Sequence, residues 1–324
     1  MERRKKNIVI RTPNWIGDAI LSIPAIEAVA SVANRLCVIA HQRTSEIFKN
    51  LPYVTDALPF SNRKDLVKIS KGLHKERYDI GVVFPFSFSS AFFIYLCGVK
   101  ERIGYLNEHR GLFLSKKLKL SDAYRERHLV NTYIDLARIL NPKIVSIIPH
   151  IIPPENIHFS DILHPWVGIA PGATYGPAKR WALKNFALVG DELTRRYKAK
   201  VFIFGGYEEK EIALKMNECM EEDPINLVGK VPLIEAASIM KQCDLFICND
   251  TGIMHLAAAV GTPTIAIFGS TNPKWTGPLG KNHKVIKIEL DCSPCYERTC
   301  RNHTCECLKS IGVEEVMTCV KNYI

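Results

Sequence analysis

The stretch Ile8–Val29, "IVIRTPNWIGDAILSIPAIEAV", passes from a β-branched run to a helical pattern within a few residues. Ile8, Val9 and Ile10 read as a buried strand, and Ile20, Leu21, Ile23 and Ile26 then recur at helical spacing. Gly17 and Asp18 fall at the handover, so Asp18 is expected in the first helical turn or at its cap. An N-cap aspartate accepts hydrogen bonds from free backbone N–H groups and suits the positive end of the helix dipole. A reactive carboxylate would occupy the same place, because ligands of open α/β sheets bind beyond the carboxyl ends of the strands. Locally, both readings stand.

The alternation continues along the chain. Strand-like runs are "NIVIRT", "RLCVIA", "DALPF" and "DIGVVFPF" in the first half, and "WVGIAPG", "KVFIFGG", "LFICND", "TIAIFG" and "KVIKI" in the second. Helical patterns such as "KNFALVGDELTRRY", "EEKEIALKMNECM" and "LIEAASIMKQC" separate them. Such alternation predicts two parallel-sheet α/β units. The proline-rich "SIIPHIIPPENIHFSDILHP" lacks helical period and marks the seam, dividing the 324 residues into domains 1–155 and 156–324.

With 47% hydrophobic and 23% charged residues, the composition is that of a globular protein and not of a disordered chain. The basic start "MERRKKNIVIRTPNW" has too short an apolar run for a signal-peptide core, so a cytoplasmic location is expected. Residues 80–99 carry no charge and approach the roughly 20 residues of a membrane span. Pro85 and the serines interrupt them, so the segment parses as a strand, a turn at Ser87 and a short buried helix. Charge is unevenly placed. Residues 1–150 hold 24 Lys and Arg against 13 Asp and Glu, whereas residues 151–324 hold 19 against 20. A basic first half predicts an anionic partner, against the plainer alternative of a solvated basic surface. No tract alternates basic and aromatic residues as a nucleic-acid-binding surface does, so nucleic acid is not expected.

Two further strand-to-helix turns carry chemistry. In "VGIAPGATYGPAKRW", Gly172 and Gly176 let the backbone approach a ligand, Thr174 offers a hydroxyl, and Lys179 a point charge suited to phosphate. The alternative is an ordinary Gly/Pro turn with a solvated lysine. In "LFICNDTGIMHLAAAVGTPTIAIFG", Asp250, Thr251 and Gly252 cluster at a helix start, with His255 one turn on. A helix start of this kind binds pyrophosphate. The alternative makes Asp250 or Thr251 a cap and His255 a core residue.

Together, "PNWIGDAILSIPAI", "PGATYGPAKRW" and "NDTGIMHLAAAVGTPTIAIFG" resemble glycosyltransferase family 9, the ADP-heptose:lipopolysaccharide heptosyltransferases, with the heptosyltransferase II branch nearest. The resemblance spans nearly the whole chain in order. It implies a GT-B fold, two Rossmann-like domains facing each other across a cleft, with acceptor-binding N-terminal and nucleotide-sugar-binding C-terminal domains. It also implies that the last helix, near Val313–Asn322, packs back toward the first domain. Carried onto this sequence, Asp18 matches a general base, and Thr174, Tyr175 and Lys179 match the turn that holds the donor phosphates. Asp250, Thr251, Gly252 and His255 match the donor-binding helix start. Glu209 of "FIFGGYEEKE", with Glu208 and Glu211 near, matches a carboxylate contacting the nucleoside.

The implied reaction is an inverting transfer from ADP-heptose to a phosphorylated lipid A–Kdo–heptose acceptor at the inner face of the inner membrane. A family member using another nucleotide sugar or glycan acceptor is the alternative. Phe86 departs from the pattern, standing where relatives tend to have asparagine. A non-catalytic basic adaptor is the competing class, and the joint presence of Asp18, Lys179 and the Asp250 turn argues against it. No DxD-type motif stands at a strand end, so no catalytic metal or other cofactor is expected. In "CSPCYERTCRNHTCEC", Cys292 and Cys295 have CxxC spacing, and Cys300 and Cys305 are further candidates for a structural metal, beside the alternatives of a disulfide or reduced thiols.

Overall fold

The computed structural model describes residues 5–144, 146–155, 159 and 162–324. The chain forms two compact units, 1–152 and 153–324. The sequence seam at 155/156 adjoins residues 156–158, which lie outside the described residues.

The first unit holds six strands: β1 (Lys6–Arg11), β2 (Ala33–His41), β3 (Asp56–Phe60), β4 (Ile80–Val83), β5 (Glu101–Leu106) and β6 (Lys116–Lys119). All neighbours are parallel, in the order β3-β2-β1-β4-β5-β6. The second holds β7 (Trp166–Ala170), β8 (Lys200–Ile203), β9 (Ile225–Asn226), β10 (Leu245–Asn249), β11 (Thr264–Phe268) and β12 (His283–Lys287). Their order, β12-β11-β10-β7-β8-β9, repeats that of the first unit. Each sheet is thus doubly wound, with the order reversing between its first and fourth strands, and a crevice for ligands forms at that reversal. The strands next to it, β1, β4, β7 and β10, are the apolar runs. Ile8, Val9 and Ile10 are fully buried, as are Leu245, Phe246, Ile247 and Cys248. The alternation predicts these two α/β units, and they correspond to the two Rossmann-like domains of the GT-B fold that the resemblance implies.

Three strands go beyond the sequence reading. β5 "ERIGYL" and β6 "KKLK" are rich in charge, and β9 has two residues. β6 and β9 are edge strands, where one side of the ladder is unpaired and lysine blunts further pairing. The segment 80–99 resolves into β4 and a nine-residue helix, Phe88–Leu96, capped by the Ser87 hydroxyl accepting from Ser90 N–H. Among the described residues no helix is long and apolar enough to cross a membrane. The opening helical pattern is two helices, Ile16–Leu21 and Ile23–Ala30. Pro24, in the first turn of the second, has no N–H to extend the ladder of the first. The last helix is Val313–Val320. Its Val316, Met317 and Val320 belong to the second unit's core with Val167, Phe186 and Ile265.

Candidate active site

Asp18 is the third residue of helix Ile16–Leu21, which follows β1 at the first sheet's reversal point. The N-cap position belongs to Trp15, whose side chain makes no capping bond. The carboxylate therefore complements the helix dipole from within the first turn without being the cap. It is half-buried. Its neighbour is Tyr133, whose phenol is pushed well above its ordinary value, first by burial and then by the Asp18 charge. Arg11, at the end of β1, fixes the intervening turn. It donates to the Thr12 carbonyl and to Asn14 Oδ1 (2.7 Å), and its guanidinium stacks 4.4 Å from the Phe60 ring.

The second reversal point gathers more. β7 and β10 are adjacent, with Ala170 opposite Cys248, so the turns that follow them emerge side by side. Lys179, closing the 3₁₀ turn Pro177–Lys179, reaches across to Asp250, with Nζ to Oδ2 at 2.5 Å. Both side chains are largely buried, at 12% and 5% exposure, so this pair is a desolvated one that solvent screens little. Thr271 Oγ1 donates to the same Asp250 oxygen. Asn249, fully buried at the end of β10, completes the joint. Its Oδ1 accepts from Trp181 N–H (2.9 Å) and its Nδ2 donates to the Pro171 carbonyl (2.8 Å).

Helix Gly252–Ala259 starts here with Thr251 as backbone N-cap, and the Thr251 side chain makes no capping bond. Its first N–H groups are thus a place for an anion. His255 is buried one turn in. Thr174 stands exposed on the turn.

Glu209 comes from the other neighbour of β7, in the 3₁₀ turn Tyr207–Glu209 that follows β8. It is buried, whereas Glu208 and Glu211 are exposed. Oε2 accepts from Gly206 N–H (3.0 Å), and Oε1 has no hydrogen-bond partner among the described residues. Burial raises its pKa, opposed by the Gly206 bond and the Arg180 charge. A Cβ at position 172 would run into this carboxylate, so any other residue there would have to displace the Glu209 side chain.

The cysteine segment buttresses the phosphate-type turn. Tyr175 donates from its hydroxyl to the Tyr296 carbonyl (2.6 Å), and its ring lies 4.7 Å from Lys179 Nζ and 5.2 Å from the Arg298 guanidinium. The Arg298 carbonyl accepts from Ala178 N–H (3.0 Å). Gly176 packs so closely on that carbonyl that a Cβ would clash with it. Gly176→Ala is expected to force the two backbones apart at a cost of about 1–3 kcal/mol. Calorimetry reads this as a fall of about 2–4 °C per kcal/mol, and an unchanged melting temperature would mean that the segment does not brace the turn. Cys292 and Cys295 are exposed, and Cys300 and Cys305 half-buried, all as free thiols. The Cys300 sulfur accepts from Cys305 N–H (3.4 Å). Among the described residues no three His, Cys, Asp or Glu are gathered to hold a metal ion.

The structure thus brings Tyr175, Lys179, Asp250, Thr251, Gly252 and Glu209 to the ends of β7, β8 and β10. It places Asp18 at the equivalent point of the other sheet. Sequence reading missed Asn249, Thr271, Trp181, Tyr133 and the Tyr296–Arg298 brace. Asn249 had a visible signal, a polar amide closing the apolar run "LFICN". The others are joined only by long-range contacts.

Comparison with known proteins bears on this constellation. Residues 66–306 match the family Glycosyltransferase family 9 (heptosyltransferase). The lipooligosaccharide heptosyltransferase 2 of Campylobacter jejuni is 28% identical, covering 98% of each chain. Among solved structures, the Escherichia coli ADP-heptose lps heptosyltransferase II aligns with a TM-score of 0.84 at 24% identity over 98% of each chain. The E. coli heptosyltransferase WaaC, solved with ADP-2-deoxy-2-fluoro heptose, aligns at 0.71 and 17% identity, covering 98% of this chain and 99% of that one. A family match over most of its length, on a fold of two repeated doubly wound sheets, makes this chain a member of glycosyltransferase family 9, the heptosyltransferases.

Proposed function

We propose that this protein moves heptose from ADP-heptose to the inner core of lipopolysaccharide, inverting the anomeric carbon, with Asp18 as general base. The observation that carries the donor half is the convergence of Lys179, Asp250 and the start of helix Gly252–Ala259 at one sheet reversal point. The relatives named for heptosyltransferase activity, and the one solved with an ADP-heptose analogue, support the choice of donor.

The chemistry is a single displacement. The acceptor hydroxyl oxygen forms a bond to the anomeric carbon as its proton passes to the Asp18 carboxylate. The bond from that carbon to the β-phosphate oxygen breaks, and ADP departs with the electron pair. Proton removal in the transition state and cationic stabilisation of the leaving diphosphate are the two contributions the protein makes. Lys179 and the helix N–H groups supply the second. Asp250 orients Lys179 through their buried pair, which is its main role here, since a carboxylate does not itself attract phosphate. Thr174 and Tyr175 line the phosphate turn. His255, buried one turn into that helix, belongs to the same donor-binding start. The open Oε1 of Glu209 suits a ribose hydroxyl, an O–H donor.

The first domain, 1–155, takes the anionic acceptor and the second, 156–324, takes the donor. The charge division supports this, with 24 basic against 13 acidic residues in 1–150 and near balance beyond. The enzyme works in the cytoplasm at the inner face of the inner membrane. Incubation with ADP-heptose and heptose-deficient lipopolysaccharide, followed by ADP release, tests the proposal. Release driven by another nucleotide sugar and not by ADP-heptose would refute the donor assignment. Raising salt is expected to weaken acceptor binding much more than donor binding, because exposed charges lose reach as the Debye length drops from about 10 Å at 0.1 M. Equal salt sensitivity of the two Michaelis constants would refute the electrostatic role of the first domain.

A further inference from the structure

Helix Phe88–Leu96 is apolar on both faces. Ala91, Phe93 and Ile94 enter the core of the first unit, while Phe88, Phe92, Tyr95 and Leu96 point to solvent at 38–48% exposure. A helix apolar all round belongs inside a protein or against lipid. Here the outer face is extended by the turn Glu108–Phe113. The Phe113 ring sits 5.1 Å from Phe88, 5.1 Å from Phe92 and 5.4 Å from Tyr95, and Leu112 beside it is 83% exposed. The result is one continuous aromatic surface, and isolated exposed residues do not account for it.

Two arginines hold that surface rigid. Arg110 is fully buried and donates to the Pro85 and Ser87 carbonyls, which ties the turn to the helix start. Arg102 donates from Nε to the Phe113 carbonyl (2.6 Å) and stacks 5.4 Å from the Tyr95 ring. Around the surface lies positive charge. Lys100, Lys116, Lys117 and Lys119 are exposed in the chain that follows the helix, and Glu101 is already paired with Lys116 (2.6 Å). Lys117 Nζ lies 4.0 Å from the empty side-chain position of Gly111, next to Leu112.

From this arrangement we propose that the face formed by Phe88, Phe92, Tyr95, Leu96 and Leu112 docks on an anionic lipid surface. The inference builds on the proposed function, naming the part of the molecule that meets the membrane. Nine helical residues span about 14 Å, far less than the roughly 30 Å hydrocarbon core, so the helix lies in the interface. Aromatic side chains seat at headgroup depth, and the basic rim pairs with anionic headgroups. A second copy of the chain fits poorly, since apposing two such faces would also appose two basic rims.

Vesicle sedimentation tests this with the full chain, using phosphatidylcholine vesicles with and without phosphatidylglycerol and free of any glycolipid. Wild type is expected to bind the anionic vesicles preferentially. Phe92→Ser/Leu112→Ser should lower that binding at least about tenfold while circular dichroism shows the protein still folded. Lys100→Gln/Lys117→Gln should remove much of the preference for phosphatidylglycerol. Vesicle binding does not depend on sugar transfer, so the outcome stands whichever donor the enzyme uses. Wild type failing to bind, either double variant binding like wild type, or a wild-type dimer that Phe92→Ser/Leu112→Ser dissociates would each overturn the proposal.

Discussion

Asp18→Asn is expected to give a folded protein with near-normal ADP-heptose affinity and turnover lower by at least about a hundredfold, the usual weight of a positioned general base. The substitution keeps the side-chain size and removes the basicity. Trp15 and not Asp18 holds the N-cap position, and the interaction of the Asp18 charge with the helix dipole is worth about 0.3–1 kcal/mol. Tyr133 does not confuse the result. Burial is the larger cause of its raised pKa, so the phenol stays protonated at neutral pH with or without the Asp18 charge. Single-turnover measurements with donor prebound isolate the chemical step. Turnover within a few-fold of wild type would leave Asp18 as a dipole partner only, and the base would have to be sought elsewhere at that sheet end.

How much of this was written in the sequence depends on the range of the contact involved. The handover at Gly17–Asp18 is local, a switch from period two to period 3.6, and the structure puts Asp18 within the first turn as that switch requires. The break at Ser22 was missed because the apolar spacing runs on across Pro24, whose missing N–H matters to the backbone and not to the pattern. Strand β6 was missed for the opposite reason, since an edge strand with little buried face carries little apolar signal. Strand β5 was missed because only Ile103 and Tyr105 of "ERIGYL" carry its buried apolar signal, beside Glu101 and Arg102. Glu209 was distinguishable from Glu208 and Glu211 only by burial, a property of the turn's tilt toward Gly172. The partnership of Lys179 with Asp250 depends on β7 lying beside β10, and no local pattern records which strands are neighbours. The same limit hid the brace from Tyr296 and Arg298.

That buried pair gives a further prediction whose single and double variants separate stability from catalysis. Lys179→Met leaves Asp250 as an uncompensated buried carboxylate that keeps the Thr271 hydroxyl bond. Breaking a buried pair from one side costs about 3–5 kcal/mol. The same substitution removes the cation proposed to meet the leaving diphosphate, and loss of one such stabilising group lowers kcat by about 10²–10³. A fall in both quantities could by itself reflect a loosened fold. Lys179→Met/Asp250→Asn resolves the two. The amide carbonyl still accepts from Thr271, the stranded charge is gone, and the melting temperature is expected to recover most of its loss. Turnover is expected to stay low, because no cation has been restored. If activity returned together with stability, Lys179 would be a structural partner of Asp250, and the leaving group would be stabilised by the start of helix Gly252–Ala259 alone.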